Sequence, residues 1–275
     1  MSAERARLLA FLDQWPRIAL VEIVEARGST PREVAAWMLV SPGDSFGTIG
    51  GGRLEFMAIE RAREMIADEI ATDRLDVPLG PEIGQCCGGR VKIDIALADD
   101  ELRATIPRRV ECEEALHPAV FIFGGGHVGH ALAAALSLLP LGLTLVETRT
   151  GQIGDLPEGV EAKLTAVPEE IVRAAPAGAG FLVLTHDHAL DFLIVAEALK
   201  RDDAAYVGMI GSKTKRATFA SWYLREMGGD EAALSRLVCP IGGEAVKDKR
   251  PAVIAAMAAA EVMRALSGEA SQSFS

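Results

Sequence analysis

From residue 118 onward, apolar strands alternate with helical stretches, and a G-x-G-x-x-G turn follows the first of those strands. Before residue 100, short β-rich runs are broken by glycine-rich loops instead. These patterns predict an α/β chain: a small α+β N-terminal domain followed by a Rossmann-like domain with a doubly wound parallel sheet. The expected divisions are 1–100 for the N-terminal domain, 101–117 for a linker, 118–267 for the Rossmann-like domain and 268–275 for a flexible tail.

In the N-terminal domain, residues 3–14 carry Ala, Leu and Phe at three- and four-residue spacing and read as a helix. Ile18–Ala26 is a β-rich run that Gly28 and Pro31 terminate. Ala35–Val40 reads as the next strand of a meander. The loop Gly47-Thr48-Ile49-Gly50-Gly51-Gly52 precedes a helical pattern from Arg53 to about Ala71 and is a candidate anion cradle; a plain hairpin connection is the competing reading. Asp73–Leu79 and Arg90–Leu97 read as short strands that flank Gly84-Gln85-Cys86-Cys87-Gly88-Gly89. Adjacent cysteines are poorly placed to bridge each other, and they lack the Cys-x-x-Cys spacing of zinc sites. Glycines on both sides let backbone approach a bulky group closely. The loop therefore points to a ligand or a soft metal. Asp99–His117 is charged, contains Pro107, and reads as irregular linker.

In the Rossmann-like domain, Val120–Phe123 reads as a buried strand, followed by a helix to Leu139 and the strand Leu143–Glu147. Gly124 suits a tight turn, Gly126 a close approach of pyrophosphate, and Gly129 helix-on-strand packing. Glu147 stands where an acidic side chain would meet a ribose hydroxyl. The same glycines could also serve the turn alone. Phe181–Thr185 is a further strand, with a helix from Asp191 to Lys200. His186 and His188 after it could ligate a metal or exchange protons, or simply be solvated beside a helix cap. Tyr206–Ile210 ends in Gly211-Ser212-Lys213-Thr214-Lys215-Arg216, where a helix start and Lys213 would hold an anion. Cys112 and Cys239 read as bystanders.

Composition narrows the function classes. A net charge of −11 over 275 residues argues against nucleic acid as a partner. No apolar run reaches the roughly 18 residues of a membrane span. Met1–Arg5 lacks a signal-peptide pattern, and the four cysteines make no disulfide framework, so a cytoplasmic location is expected.

Ala26–Arg32, Gly47–Glu55 and Gly84–Val91, then Phe123–Gly129, Thr185–Asp191, Tyr206–Arg216 and Cys239-Pro240-Ile241-Gly242, resemble motifs of the XdhC/CoxI family, accessory proteins of xanthine dehydrogenase. The resemblance spans nearly the whole chain in order. It implies a chaperone more than a turnover enzyme. Such a protein binds molybdenum cofactor (molybdopterin), supports its sulfuration by a cysteine desulfurase, and inserts it into xanthine dehydrogenase. The carry-over places the molybdenum on Cys86, with Cys87 assisting and Gln85, Gly88 and neighbouring amides bonding the cofactor. Soft molybdenum suits thiolate, and Arg27, Arg32, Arg53 and Arg90 flank the motifs. Gly124, Gly126, Gly129, Glu147 and Lys213 are the second domain's candidates, for a nucleotide if one binds there. The alternative is an NAD(P)-dependent oxidoreductase using that domain. A homodimer is compatible with either reading.

Overall fold

A computed structural model describes residues 3–80, 88–243 and 246–270. The chain divides into two compact units, Ala3–Glu111 and Cys112 onward.

The first unit holds a five-stranded sheet whose neighbouring strands all pair antiparallel. In chain order its strands are β1 (Ala19–Arg27), β2 (Trp37–Val40), β3 (Ser45–Gly47), β4 (Thr72–Pro78) and β5 (Arg90–Leu97), and their spatial order is β3-β2-β1-β5-β4. The period of two along a strand sorts the side chains between two layers. Ala19, Val21, Ile23, Met38 and Val40 pack with Leu54, Ala58, Ala62 and Met65 of helix α2 (Gly52–Asp68). Leu20, Trp37 and Leu39 face the other way, onto Leu8 and Phe11 of helix α1 (Ala3–Gln14).

That second face corrects one expectation. The segment read as an irregular linker is helix α3 (Asp100–Ala115), with Pro107 inside it. Ile106 and Val110, four residues apart, are buried in the cluster formed by Leu8, Phe11 and Leu39. The charges that suggested a solvated linker make tertiary contacts. Arg103 donates to the carbonyls of Leu12, Trp15 and Pro16, Arg109 pairs with Glu22 at 2.6 Å and lies over the Trp37 ring, and Arg5 pairs with Glu111. Burial of one apolar stripe outweighs the helix-breaking tendency of a single proline.

The second unit is a fully parallel six-stranded sheet in the order β11-β10-β9-β6-β7-β8. Its strands are β6 (Ala119–Phe123), β7 (Gly142–Glu147), β8 (Val160–Leu164), β9 (Gly180–Val183), β10 (Tyr206–Met209) and β11 (Leu237–Val238). Helices cover both faces, which is why β9 and β10 are buried at every position and read as unbroken apolar runs. On one face, Phe123, Phe181 and Val183 pack with α5 (Pro168–Ala174), α6 (His188–Leu199) and α7 (Lys213–Arg225). On the other, Val120, Ile122 and Leu182 pack with α4 (His127–Leu136) and α9 (Pro251–Ala270). The short α8 (Glu231–Ser235) precedes β11.

Helix α9 takes in the first three residues of the tail expected from 268. Ala255, Ala258, Ala259, Val262 and Leu266 form its buried stripe; alanine carries little hydrophobic signal yet lets a helix approach closely. Among the described residues no helix is long and apolar enough to cross a membrane.

Candidate functional site

Candidate residues of the first unit gather at one end of its sheet. Gln85, Cys86 and Cys87 lie outside the described residues. The ends of their loop are held firmly: Gly88 N–H donates to Leu79 O at 2.8 Å, and Leu79 N–H donates to Gly89 O at 2.7 Å. A parallel bridge joins Ser29 to Gly88. A Cβ on Gly89 would stand 2.3 Å from Ser29 O and 2.7 Å from Arg27 O, so only glycine lets these strands close. The Arg27–Arg32 motif and Gly88–Gly89 are therefore pinned to each other. Because the Gly88 amide is already spent on Leu79, what Gly88 offers a ligand is its bare Cα.

The loop Gly47–Gly52 reaches the same neighbourhood, since the bare Cα of Gly50 lies against the Pro31 ring. Its candidate cradle is taken by the protein itself. Glu55 Oε2 accepts from Ile49 N–H and Gly51 N–H, both at 3.1 Å, and from the Thr48 hydroxyl. A carboxylate in the first turn of α2 thus occupies the position an external anion would take, favoured there by the helix dipole. The sequence reading missed Glu55; its signal was an acid in the first turn after a glycine run.

Four arginines flank these motifs, and two are committed. Arg27 pairs with Glu25, and Arg90 binds Asp76 through two hydrogen bonds of 2.6 and 3.0 Å. Arg32 and Arg53 are exposed and make no ion pair among the described residues. They are the cations left for a ligand.

In the second unit the strand order changes direction between β6 and β9, and ligands of such sheets bind beyond the strand ends at that point. The glycine turn lies there, and its three glycines do different work. Gly124 has φ +117° and an added Cβ would lie 2.4 Å from Leu184 O, while at Gly129 it would lie 1.9 Å from Gly124 O. Those two close strand on strand and helix on strand. Gly126, the N-cap of α4, has nothing within 4 Å of the Cβ position. Its open backbone is where a phosphate could approach.

Glu147 is 3% exposed, and the fold uses both its oxygens. Oε2 accepts from Gly125 N–H at 2.9 Å and from the Arg149 guanidinium at 3.1 Å. Oε1 accepts from Thr148 N–H at 2.8 Å and Arg149 N–H at 3.0 Å. The carboxylate ties the glycine turn to the end of β7 and has little capacity left for a ribose. Burial pushes its pKa up, but the Arg149 guanidinium and the N–H groups of Gly125, Thr148 and Arg149 outweigh that and hold it at about 2. The folded pKa lies below the ordinary 4.5. Its stabilisation is thus complete above pH 4.5 and is lost as pH falls toward 2. Glu147→Gln should flatten that part of the acid-unfolding curve, as circular dichroism across pH 2–5 would record.

At the ends of β9 and β10 the structure joins two residues the sequence reading kept apart. Asp191 is fully buried; its Oδ1 accepts from Thr185 N–H at 2.8 Å and the Thr185 hydroxyl at 2.7 Å, and its Oδ2 accepts from Lys215 Nζ. Lys215 Nζ also donates to Ile210 O at 3.0 Å. Lys215, not Lys213, is thus the buried cation of that helix start. Lys213 opens α7 after the N-cap Ser212. His186 and His188 are exposed, and Asp187 caps α6 by accepting from Ala189 N–H at 2.8 Å. Burial pushes the Cys239 thiol up, against the opposing pull of Lys215. Among the described residues no three His, Cys, Asp or Glu side chains cluster as a metal site.

Comparison with known proteins agrees with this architecture. The chain is 26% identical over 258 residues to the uncharacterized protein YqeB of Escherichia coli (strain K12), covering 90% of this chain and 43% of YqeB. It therefore spans less than half the length of that curated relative. A crystal structure described as a xanthine dehydrogenase from Bacillus halodurans matches with a TM-score of 0.77 at 17% identity, over 98% of this chain and 96% of that one. At such identity the likeness speaks for the fold. The model of the XdhC Rossmann domain matches residues 120–262, just over half the chain, and that of the XdhC and CoxI family matches residues 12–76. The chain belongs to the XdhC and CoxI family.

Proposed function

We propose that this protein is a maturation factor for xanthine dehydrogenase that holds molybdenum cofactor, supports its sulfuration by a cysteine desulfurase and inserts it into the enzyme. The observation that carries the reading is Cys86-Cys87 in a chain of the XdhC and CoxI family, in a loop whose ends are clamped beside the Arg27–Arg32 motif. The Bacillus halodurans structure of similar fold is described as a xanthine dehydrogenase, and that description supports this enzyme as the partner.

The donor set suits the group. Thiolates favour a soft metal, and Arg32 and Arg53 offer guanidinium forks to a phosphate. Cys86 is assigned the metal, Cys87 and Gln85 assist it, and Gly88 leaves room for the pterin. When bound, the cofactor supplies the redox chemistry of the recipient enzyme; this chain's residues bind and orient it. The test is co-purification from cells that make the cofactor, with metal and pterin measured on wild type and Cys86→Ala. Wild type should carry both and the variant at most about a tenth as much, the scale of losing one strong contact. Equal loading would sink the thiol assignment.

A nucleotide bound by the second unit is favoured by one observation, the open backbone at Gly126 on a sheet that reverses at β6 and β9. An NAD(P)-dependent oxidoreductase would need it. Saturable NAD(P)H fluorescence, abolished by a bulky side chain at Gly126, would establish that reading; a flat titration removes it.

A further inference from the structure

The second unit contains a cleft that neither the thiol loop nor the glycine turn explains. It measures about 440 Å³ and is bounded by Ile210 and Gly211 after β10, by Pro240–Gly243 after β11, and by Val253, Ile254 and Met257 of α9. That size lies within the range of small-molecule pockets, roughly 300–1,000 Å³. The floor is apolar, and the segment Val246–Lys249 forms one side.

The charges on that segment are unequal in their commitments. The Asp248 carboxylate accepts from the Arg250 N–H at 2.9 Å and from the Arg250 guanidinium at 2.9 and 2.6 Å. Its charge is neutralised within its own turn, and that contact holds its carboxyl below the ordinary carboxylate range. Lys247 and Lys249 on either side are exposed and form no ion pair among the described residues. In a chain of net charge −11, two uncommitted ammonium groups flanking an apolar cleft form a local cationic mouth. Gly243 adds bare backbone with nothing within 4 Å of its Cβ position.

We propose that this cleft binds an organic phosphomonoester, its apolar or heteroaromatic body between Ile210, Ile241 and Met257 and its dianion between Lys247 and Lys249. Two point charges suit a doubly charged phosphate, and an apolar floor suits a ligand that is more than a phosphate. The proposal does not rest on cofactor binding at Cys86, and the cleft is separate from the glycine turn at Gly126.

Adenosine 5′-monophosphate is the probe, with adenosine and inorganic phosphate as the half-ligands. Lysine acetylation of the full chain, mapped by mass spectrometry, should show saturable protection of Lys247 and Lys249 by the nucleotide. Each half-ligand should need at least about ten-fold higher concentration, the scale of one charge-assisted contact. Lys247→Gln with Lys249→Gln, a surface change that leaves the core intact, should weaken calorimetric binding by about ten-fold or more. Met257→Trp should block the cleft. Absence of protection at saturating nucleotide overturns the proposal. Protection equal for inorganic phosphate alone, or binding undiminished by both the lysine pair and Met257→Trp, overturns it as well.

Discussion

Asp191→Ala should destabilise the second unit by about 3–5 kcal/mol, the cost of leaving one partner of a buried ion pair alone. The Lys215 side chain is 9% exposed and Asp191 is fully buried, so water cannot replace what is removed. The substitution also strips the Thr185 N–H and hydroxyl of their acceptor. Lys215→Met should cost less, because Asp191 keeps both Thr185 bonds. The double variant should recover part of the Asp191→Ala loss, since an apolar pair fills the site without an orphaned charge. Urea unfolding followed by Trp222, which packs on Phe192 and Phe219 in the same core, measures all three. A single-variant loss under about 1 kcal/mol, the value of a surface pair, would show that the pair is not desolvated. The pair joins the strand ends that border the glycine turn and the cleft.

Gly129→Val should prevent the second unit from folding in its native form, and Gly126→Ala, three residues away, should be nearly silent. Both glycines belong to one sequence motif, and only their surroundings differ. A Cβ at Gly129 would lie 1.9 Å from the Gly124 carbonyl oxygen, deep inside van der Waals contact with backbone that cannot rotate away. Relieving it requires α4 to lift from β6, and overpacking of this kind costs about 1–3 kcal/mol even when neighbours can shift. At Gly126 the Cβ would meet open space, and φ is −78°, which any L-residue adopts. The expected change there is within about 0.5 kcal/mol. Expression in the soluble fraction and thermal unfolding of the two variants separate the roles. Equal behaviour would show that the helix is not held against the strand by this contact.

Legibility from sequence followed the physics of each element. The parallel strands were readable because burial on both faces leaves them unbroken apolar runs, as at Gly180–Val183 and Tyr206–Met209. Helix α3 was not, because only Ile106 and Val110 of its residues are fully buried and its charges find tertiary partners invisible in a linear string. Edge strand β8 escaped for a related reason: four of its five residues are exposed, and nothing periodic marks it. Helix α9 packs through alanines, which a hydrophobicity reading undervalues.

The candidate sites divide along the same line. Local chemistry, meaning which residues carry thiols, bare backbone or cations, is a property of the string, so the Gln85–Gly89 motif, the Gly124–Gly129 turn and the family resemblance were all legible. Whether a polar group is available for a ligand depends on neighbours distant in sequence, and only the tertiary structure decides that. It spends Glu147 on Gly125 and Arg149, spends the Gly47–Gly52 amides on Glu55, and buries Lys215 against Asp191. It leaves Arg32, Arg53, the Gly126 backbone and the Lys247–Lys249 mouth uncommitted among the described residues. A hydrogen bond or ion pair saturates a group in three dimensions, so sequence names the candidates and the fold chooses among them.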